Sequence, residues 1–287
     1  MKIVLSPNPF RDKGLKAAQS AARILNNAGV ETRICLPFSP EGNDLKLPKQ
    51  VVLSDMQEEL PTADILVCFG GDGTILHAAK DANEYGIPIL GVNLGSVGFM
   101  AEVEQSELSL LSKLAVGKYA VESRMMIQVE VRREGRIIYS DLALNDAVIT
   151  KGAVARVVDM EVRSDKVPIT SFSGDGVIVS TPTGSTAYSM SAGGPIVEPT
   201  AENIIVTPIC PHVVNARSVV LDHRRNVTIR MRATSRKTAY LSVDGGKAFK
   251  LSGGDIMHVR QATAKTHLIR LTSRSFFDIM TQKLGRM

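Results

Sequence analysis

Ala63-Asp64-Ile65-Leu66-Val67-Cys68-Phe69 runs without a break into Gly70-Gly71-Asp72-Gly73-Thr74, and the fold is decided at that junction. The first run is short, apolar and rich in β-branched and aromatic residues, as a central strand of a parallel sheet is when both of its faces are covered. Thr74 to Tyr85 then reads as a helix that stops at Gly86. Glycines at the carboxyl end of a parallel strand let a ligand approach the backbone, and a helix opening there adds free N–H groups and a positive dipole end. This junction therefore predicts a phosphate site.

Working outward, Lys2–Leu5, Thr32–Leu36 and Ile87–Val92 read as further buried strands. Between them, Leu15, Ala18, Ala22 and Leu25 fall at helical spacing within 14–27, and Asp55–Leu60 is a shorter helix candidate. Repeated β-α-β units imply a doubly wound parallel sheet. After about Glu102 the pattern changes. Met125–Arg133 and Arg136–Thr150 alternate apolar and polar residues around Glu134-Gly135, a hairpin signal. Val157–Arg163, Gly176–Ser180, Val227–Arg232, Ala239–Val243, Ile256–Arg260 and Thr266–Thr272 continue the alternation, and Phe276–Leu284 reads as a closing helix. The expected fold is an N-terminal doubly wound parallel α/β domain followed by a C-terminal, mostly antiparallel, β-sandwich-like domain. Its expected division is 1–101, completed by a helix within 274–287, and 102–273.

Composition limits the classes. A chain of 287 residues suits one large or two ordinary domains, and 44% hydrophobic with 22% charged residues is a globular balance. Net charge of +5 favours anionic ligands, but with no Trp and 5% aromatic residues a base-stacking, nucleic-acid-binding surface is not expected. Cys35, Cys68 and Cys210 are far apart and show neither disulfide nor zinc spacing, which fits a reducing cytoplasm. The stub Ile3–Leu5 is too short for a signal peptide, and no later run approaches the ~18 apolar residues of a membrane span.

Asp72 is the unusual member of the glycine loop, because a carboxylate facing phosphates is repelled unless a metal intervenes or it has its own task. A kinase would give it one, accepting the proton of an attacking alcohol. The alternative is a tight turn in which Asp72 bonds its own backbone. No Lys follows the glycines and no G-x-G-x-x-G occurs, so neither a P-loop nor a dehydrogenase fingerprint applies. A second feature runs from Gly174-Asp175-Gly176 through Ser180-Thr181-Pro182-Thr183-Gly184-Ser185-Thr186-Ala187-Tyr188 to Ser191 and Pro195. Five hydroxyl side chains between Ser180 and Thr186 suggest donors for a ribose, phosphate or base, or else a capped turn. Val243-Asp244-Gly245-Gly246 reads as a hairpin turn, and the basic residues from Arg217 to Lys237 as a solvated face. His77, His212, His223, His258 and His267 show no metal-ligand spacing.

Taken in order, the Asp72 loop, Asn93-Leu94-Gly95-Ser96-Val97-Gly98-Phe99, Leu144-Asn145-Asp146 and the Asp175–Pro195 segment resemble the NAD kinase family over nearly the whole chain. The glycine-aspartate loop alone also resembles phosphofructokinases and lipid kinases, whereas the segment ending Ser185-Thr186-Ala187-Tyr188 is specific to NAD kinases. The resemblance implies ATP-dependent phosphorylation of the adenosine-ribose 2′-hydroxyl of NAD, with Mg2+ or another divalent cation carried on the triphosphate; no metal-ligating residue is singled out in the chain. It implies Asp72 as base and orienter, and Gly70, Gly71, Gly73 and Thr74 around the phosphates. Asn145 and Asp146 would hold ribose hydroxyls, and Thr183, Thr186, Ala187, Tyr188 and Ser191 the adenine and nicotinamide ends. Asp175 would reach across a subunit interface in a homo-oligomer, a dimer or tetramer, and 102–273 would be the NAD-binding and assembly domain. The family's pair is more often Asn-Glu; the shorter Asp146 implies altered NAD affinity rather than lost chemistry. A kinase for another alcohol and a non-catalytic NAD-binding sensor are the competing readings.

Overall fold

The computed structural model describes residues 1–38, 47–95, 98–152, 157–213, 215–232 and 238–285. Ser96 and Val97 of the fourth-strand motif, and Arg236 and Lys237 of the basic stretch, lie outside them. The chain forms two compact units, Met1–Ser123 with Thr266–Met287, and Arg124–Lys265.

The first unit contains β1 (Lys2–Pro7), α1 (Lys16–Asn27), β2 (Glu31–Ile34), α2 (Met56–Glu59), β3 (Ile65–Gly70), α3 (Asp72–Tyr85), β4 (Ile89–Asn93), β5 (Val103–Glu104) and α4 (Ser112–Ala115). β2, β1, β3 and β4 lie side by side in that order, all parallel, and β5 also pairs with β4 in parallel. Alternate residues of β3, Ile65, Val67 and Phe69, share a core with Ile3, Leu5 and the α1 residues Ala18, Ala21 and Leu25. Small residues on α1 allow close packing on the sheet, and the buried Asp12 closes its first turn by accepting from the N–H groups of Ala17 and Ala18, both at 2.9 Å. α3 buries Ile75, Ala78, Ala79 and Ala82 and ends at Gly86 in the left-handed conformation.

One difference from the sequence expectation matters for chemistry. The helix begins at Asp72 rather than Thr74, with Gly71 as its N-cap. Glycine propensity argues for a loop here, but a first turn loses no intrahelical donor to it, and a carboxylate in that turn complements the helix dipole.

The second unit holds most of β6 (Ala120–Arg133), then β7 (Arg136–Ala143), β8 (Asp146–Lys151), β9 (Val158–Ser164), β10 (Val167–Gly174) and β11 (Gly176–Ser180). α5 (Tyr188–Ser191), β12 (Asn203–Ile209), β13 (Val219–Asp222), β14 (Val227–Met231), β15 (Ala239–Val243), β16 (Phe249–Leu251) and the first part of β17 (Ile256–Arg270) complete it. One sheet has the order β13-β12-β11-β8-β15-β16; the other runs β10-β9-β14-β17-β6-β7. Inward residues of both sheets, among them Ile127, Val129, Ile149, Val162, Val179, Val206, Ile229, Leu241 and Val259, form one core, as in a sandwich. Glu134 and Gly135 both take positive φ, 50° and 81°, which suits the two-residue hairpin expected there.

The run 136–150 is two strands, not one. It breaks at Leu144-Asn145, where the chain leaves one sheet of the sandwich and enters the other. Conversely, 256–260 and 266–270 belong to the single strand β17, because the residues between them include no Gly or Pro to turn the chain. The last part of β17 pairs with β4, Leu268 opposite Ile89, and α6 (Phe276–Leu284) follows it in the first unit. Unit boundaries thus fall at 123/124 and 265/266 rather than near 101 and 274. Val103, Leu108, Leu111, Leu114, Ile269 and Leu271 contribute to the α/β core, which carries their segments with it.

Candidate active site

In the first unit, a cavity of about 210 Å³ opens beyond the carboxyl ends of three neighbouring parallel strands. Asn8 and Arg11 follow β1, Gly70 and Gly71 end β3, Gly73 and Thr74 open α3, and Asn93 and Gly95 lie at the end of β4; these residues line it. All four of the expected phosphate residues are therefore brought together. Gly70 cannot be larger, since a Cβ there would sit 2.2 Å from the Thr74 hydroxyl. Asn93 is buried and braced, its amide donating to the Glu104 carboxylate at 3.0 and 3.2 Å. Arg11 is a cation at this cavity that the sequence reading did not single out. Its signal was positional: it lies just past a parallel strand, and β1 obeys the same carboxyl-end rule as β3.

Asp72 is not one of the lining residues, because its side chain is directed elsewhere. One carboxylate oxygen accepts from the Phe99 N–H at 2.8 Å and the other from the Met100 N–H at 3.1 Å. Gly98 permits this approach; a Cβ on it would be 2.1 Å from Asp72 Oδ1. Each carboxylate oxygen keeps a further lone pair that could receive a proton or a hydroxyl. His77 is exposed on α3.

In the second unit the Leu144-Asn145-Asp146 corner is organised by Asp244. Its carboxylate accepts three successive backbone N–H groups, from Leu144 at 2.7 Å, Asn145 at 2.8 Å and Asp146 at 3.0 Å. Thr181 fastens the same corner, donating its N–H to Asn145 O and its hydroxyl to Leu144 O. Gly184 packs directly on it, where a Cβ would be 2.1 Å from the Asn145 carbonyl oxygen. Asn145 is only 8% exposed, and its side-chain Oδ1 has no hydrogen-bond partner among the described residues. An orphan buried acceptor is costly and points to a donor supplied from outside the chain. Asp146 is 6% exposed, and burial, reinforced by the Asp244 charge, raises its pKa to about 7.

The hydroxyl-rich segment is mostly committed to its own fold. Thr183 is buried and accepts from Arg124 Nη1 at 3.2 Å, Thr186 donates to Thr183 O, and Ser185 exchanges two bonds with the Val197 backbone. The capped-turn alternative therefore describes Thr181, Ser185 and Thr186 better than a surface of free donors does. Tyr188, 44% exposed, and Ser191 remain open on α5, with Ala187 partly exposed before them. Asp175 pairs with Lys151 at 2.6 Å at the start of β11, while Asp146 faces Ser180 at its end. Five residues of strand at about 3.4 Å each put Asp175 ~17 Å from that corner. The fold of one chain does not bring Asp175 to Asn145 and Asp146. Among the described residues no group of three or more His, Cys, Asp or Glu is placed to hold a metal ion.

Residues 39–119 match the ATP-NAD kinase N-terminal domain and residues 144–271 the ATP-NAD kinase C-terminal domain. The NAD kinase of Ruminiclostridium cellulolyticum is 36% identical over 285 residues, covering 99% of this chain and 97% of its own. The chain belongs to the NAD kinase family. Another member, the NAD kinase of Geobacter metallireducens, is 46% identical over 229 residues, 79% of this chain and 81% of its own. Yeast NADH kinase complexed with NADH superimposes with a TM-score of 0.83 at 25% identity, covering 99% of this chain and 87% of that one. The fold also matches an NAD kinase from Archaeoglobus fulgidus in complex with ATP, with a TM-score of 0.75 at 24% identity and full coverage of both chains. The activity is accordingly the ATP-dependent phosphorylation of NAD to NADP, and neither a kinase for another alcohol nor a sensor without turnover is favoured.

Proposed function

We propose that Asp72 takes the proton from the 2′-hydroxyl of the adenosine ribose as that oxygen attacks the γ-phosphorus of ATP. The new P–O bond forms as the bond to ADP breaks, and the proton resides on the Asp72 carboxylate. Gly70, Gly71, Gly73 and Thr74 cradle the donor phosphates through backbone N–H groups and the start of α3, with Arg11 supplying positive charge. Mg2+ or another divalent cation arrives as part of the metal–ATP substrate. Among the described residues the lining of the glycine cavity is Arg11 together with neutral side chains and backbone.

Asn145 and Asp146 hold ribose hydroxyls, the orphan Asn145 oxygen accepting one of them. Thr183, Thr186, Ala187, Tyr188 and Ser191 form the region for the adenine and nicotinamide ends, with Thr183 and Thr186 shaping it and Tyr188 and Ser191 exposed toward a ligand. Asp175, remote from that region in its own chain, serves the site of a second copy in a cytoplasmic homo-oligomer, a dimer or tetramer. The partners are NAD and ATP, not nucleic acid or membrane; no helix among the described residues is long and apolar enough to cross one. The observation that carries the phosphate-binding roles is the convergence of Gly70, Gly71, Gly73, Thr74 and Arg11 on one cavity at the carboxyl ends of parallel strands.

The test is NADP formation from NAD, ATP and magnesium by purified protein, with Asp72→Asn in parallel. A loss of about 10²–10⁴-fold in kcat is expected of the variant. Turnover that survives the substitution would remove Asp72 as the base.

A further inference from the structure

The geometry points to the C-terminal segment 270–283, the end of β17 with helix α6, as a positioning element for Asp72, acting through Met100 and Phe99 respectively. It rests on the reading that Asp72 acts on the acceptor hydroxyl. The two N–H groups that hold the carboxylate belong to a strap, Gly98–Met100, whose Phe99 ring and Met100 carbonyl are gripped by residues 270–283. The Phe99 ring packs against Phe276 with centroids 5.9 Å apart, and Lys283 Nζ lies 4.3 Å from the centre of the same ring. Both residues are on α6, one near each end, so the helix clasps the ring along two turns. Tilted aromatic packing and a cation over a ring face each fix a ring's orientation as well as its place.

Met100 is fixed from the same direction. Arg270 Nη1 donates to the Met100 carbonyl oxygen at 3.3 Å, and the guanidinium is itself pinned by Glu102 at 3.2 Å and Glu122 at 3.3 Å. Glu102 is buried and also accepts from the N–H groups of Leu271 and Thr272, which tie the start of the C-terminal segment to the strap's own continuation. The strap is therefore held by Asp72 through its N–H groups and by residues 270–283 through the Phe99 ring and the Met100 carbonyl oxygen. A carboxylate that must meet a hydroxyl at hydrogen-bond distance depends on such support, because a displacement near 1 Å can cost about a hundredfold in rate.

The experiment measures steady-state kinetics and amide hydrogen exchange on the full chain. Phe276→Ala should lower kcat about tenfold or more while leaving KM for NAD and ATP within about twofold. Exchange protection of the Phe99 and Met100 amides should fall in the same protein. Phe276→Tyr, which keeps the ring, should restore both, and Lys283→Met, which leaves no cavity, should move both in the same direction by less. Wild-type kcat in Phe276→Ala, or lost kcat with unchanged protection of Phe99 and Met100, would overturn the inference. Turnover that survives Asp72→Asn would overturn the reading of Asp72 instead; an active wild type indifferent to the α6 variants overturns only the role of the helix.

Discussion

The Asp72 corner and the Asn145-Asp146 corner use one device in opposite senses. In both, backbone N–H groups converge on a carboxylate, two from Phe99 and Met100 on Asp72 and three from Leu144, Asn145 and Asp146 on Asp244. In the α/β unit the carboxylate is the proposed reacting group and the backbone is its holder. In the sandwich the carboxylate is the holder, and the side chains beside the bonded backbone, Asn145 and Asp146, are the groups proposed to meet the ligand. The first arrangement fixes a proton acceptor and should govern kcat; the second fixes a binding surface and should govern KM.

Gly98→Ala is the strongest challenge to the first half of that contrast. The added Cβ would lie 2.1 Å from Asp72 Oδ1 and 2.9 Å from its Cγ, so carboxylate and strap must separate. We expect kcat to fall about a hundredfold with KM for NAD little changed; a raised KM at full kcat would place Asp72 on the binding side of the comparison. Asp244→Ala challenges the second half. It leaves three N–H groups without their acceptor, which should raise KM for NAD at least tenfold and cost roughly 1–3 kcal/mol of stability, as read from steady-state kinetics and urea unfolding. A loss confined to kcat would show that both corners serve chemistry.

How far these corners could be read from sequence differs for a physical reason. The glycine loop was legible because its parts are consecutive: a buried strand, glycines and a helix need only local pattern, and even the misplaced helix start shifted no residue out of the site. Asp244 was legible only as a turn, which it is, with φ of 48° followed by Gly245 at 69°. Its bonds reach residues 98 to 100 positions away, and no periodicity encodes that pairing. α6 was legible as a closing helix, but its contact with Phe99, and that of Gly98 with Asp72, were hidden in the same way, because only the folded topology brings those residues together. The hydroxyl-rich segment misled in the other direction, because Ser and Thr satisfy backbone groups as readily as they meet ligands.

Arg11→Gln tests the cation of the first corner with a smaller effect. An exposed arginine beside a phosphate cradle contributes by Coulomb attraction that water and salt weaken, so a rise of about five- to tenfold in KM for ATP is expected at low salt, shrinking as ionic strength rises. KM for NAD should not respond. A rise in both would mean that Arg11 touches the acceptor, and the separation between a donor corner and an acceptor corner would then have to be redrawn.

The smallest effect concerns Asp146 and separates the corners by pH. Burial, with Asp244 beside it, lifts its pKa from the ordinary 3.8 to about 7. Between those values the folded chain binds a proton that the unfolded chain has released, so this group favours the fold at low pH, and that contribution is lost as pH rises toward 7. The slope approaches about 1.4 kcal/mol per pH unit near the middle of that window and vanishes outside it. Asp146→Asn mimics the protonated form at every pH. Its unfolding free energy relative to wild type should therefore rise from pH 5 to pH 7.5, and the change in NAD affinity that wild type shows near pH 7 should flatten. Equal pH slopes for the two proteins would mean that Asp146 is ionised throughout. Asp244 would then hold its three N–H groups against an unrelieved neighbouring charge.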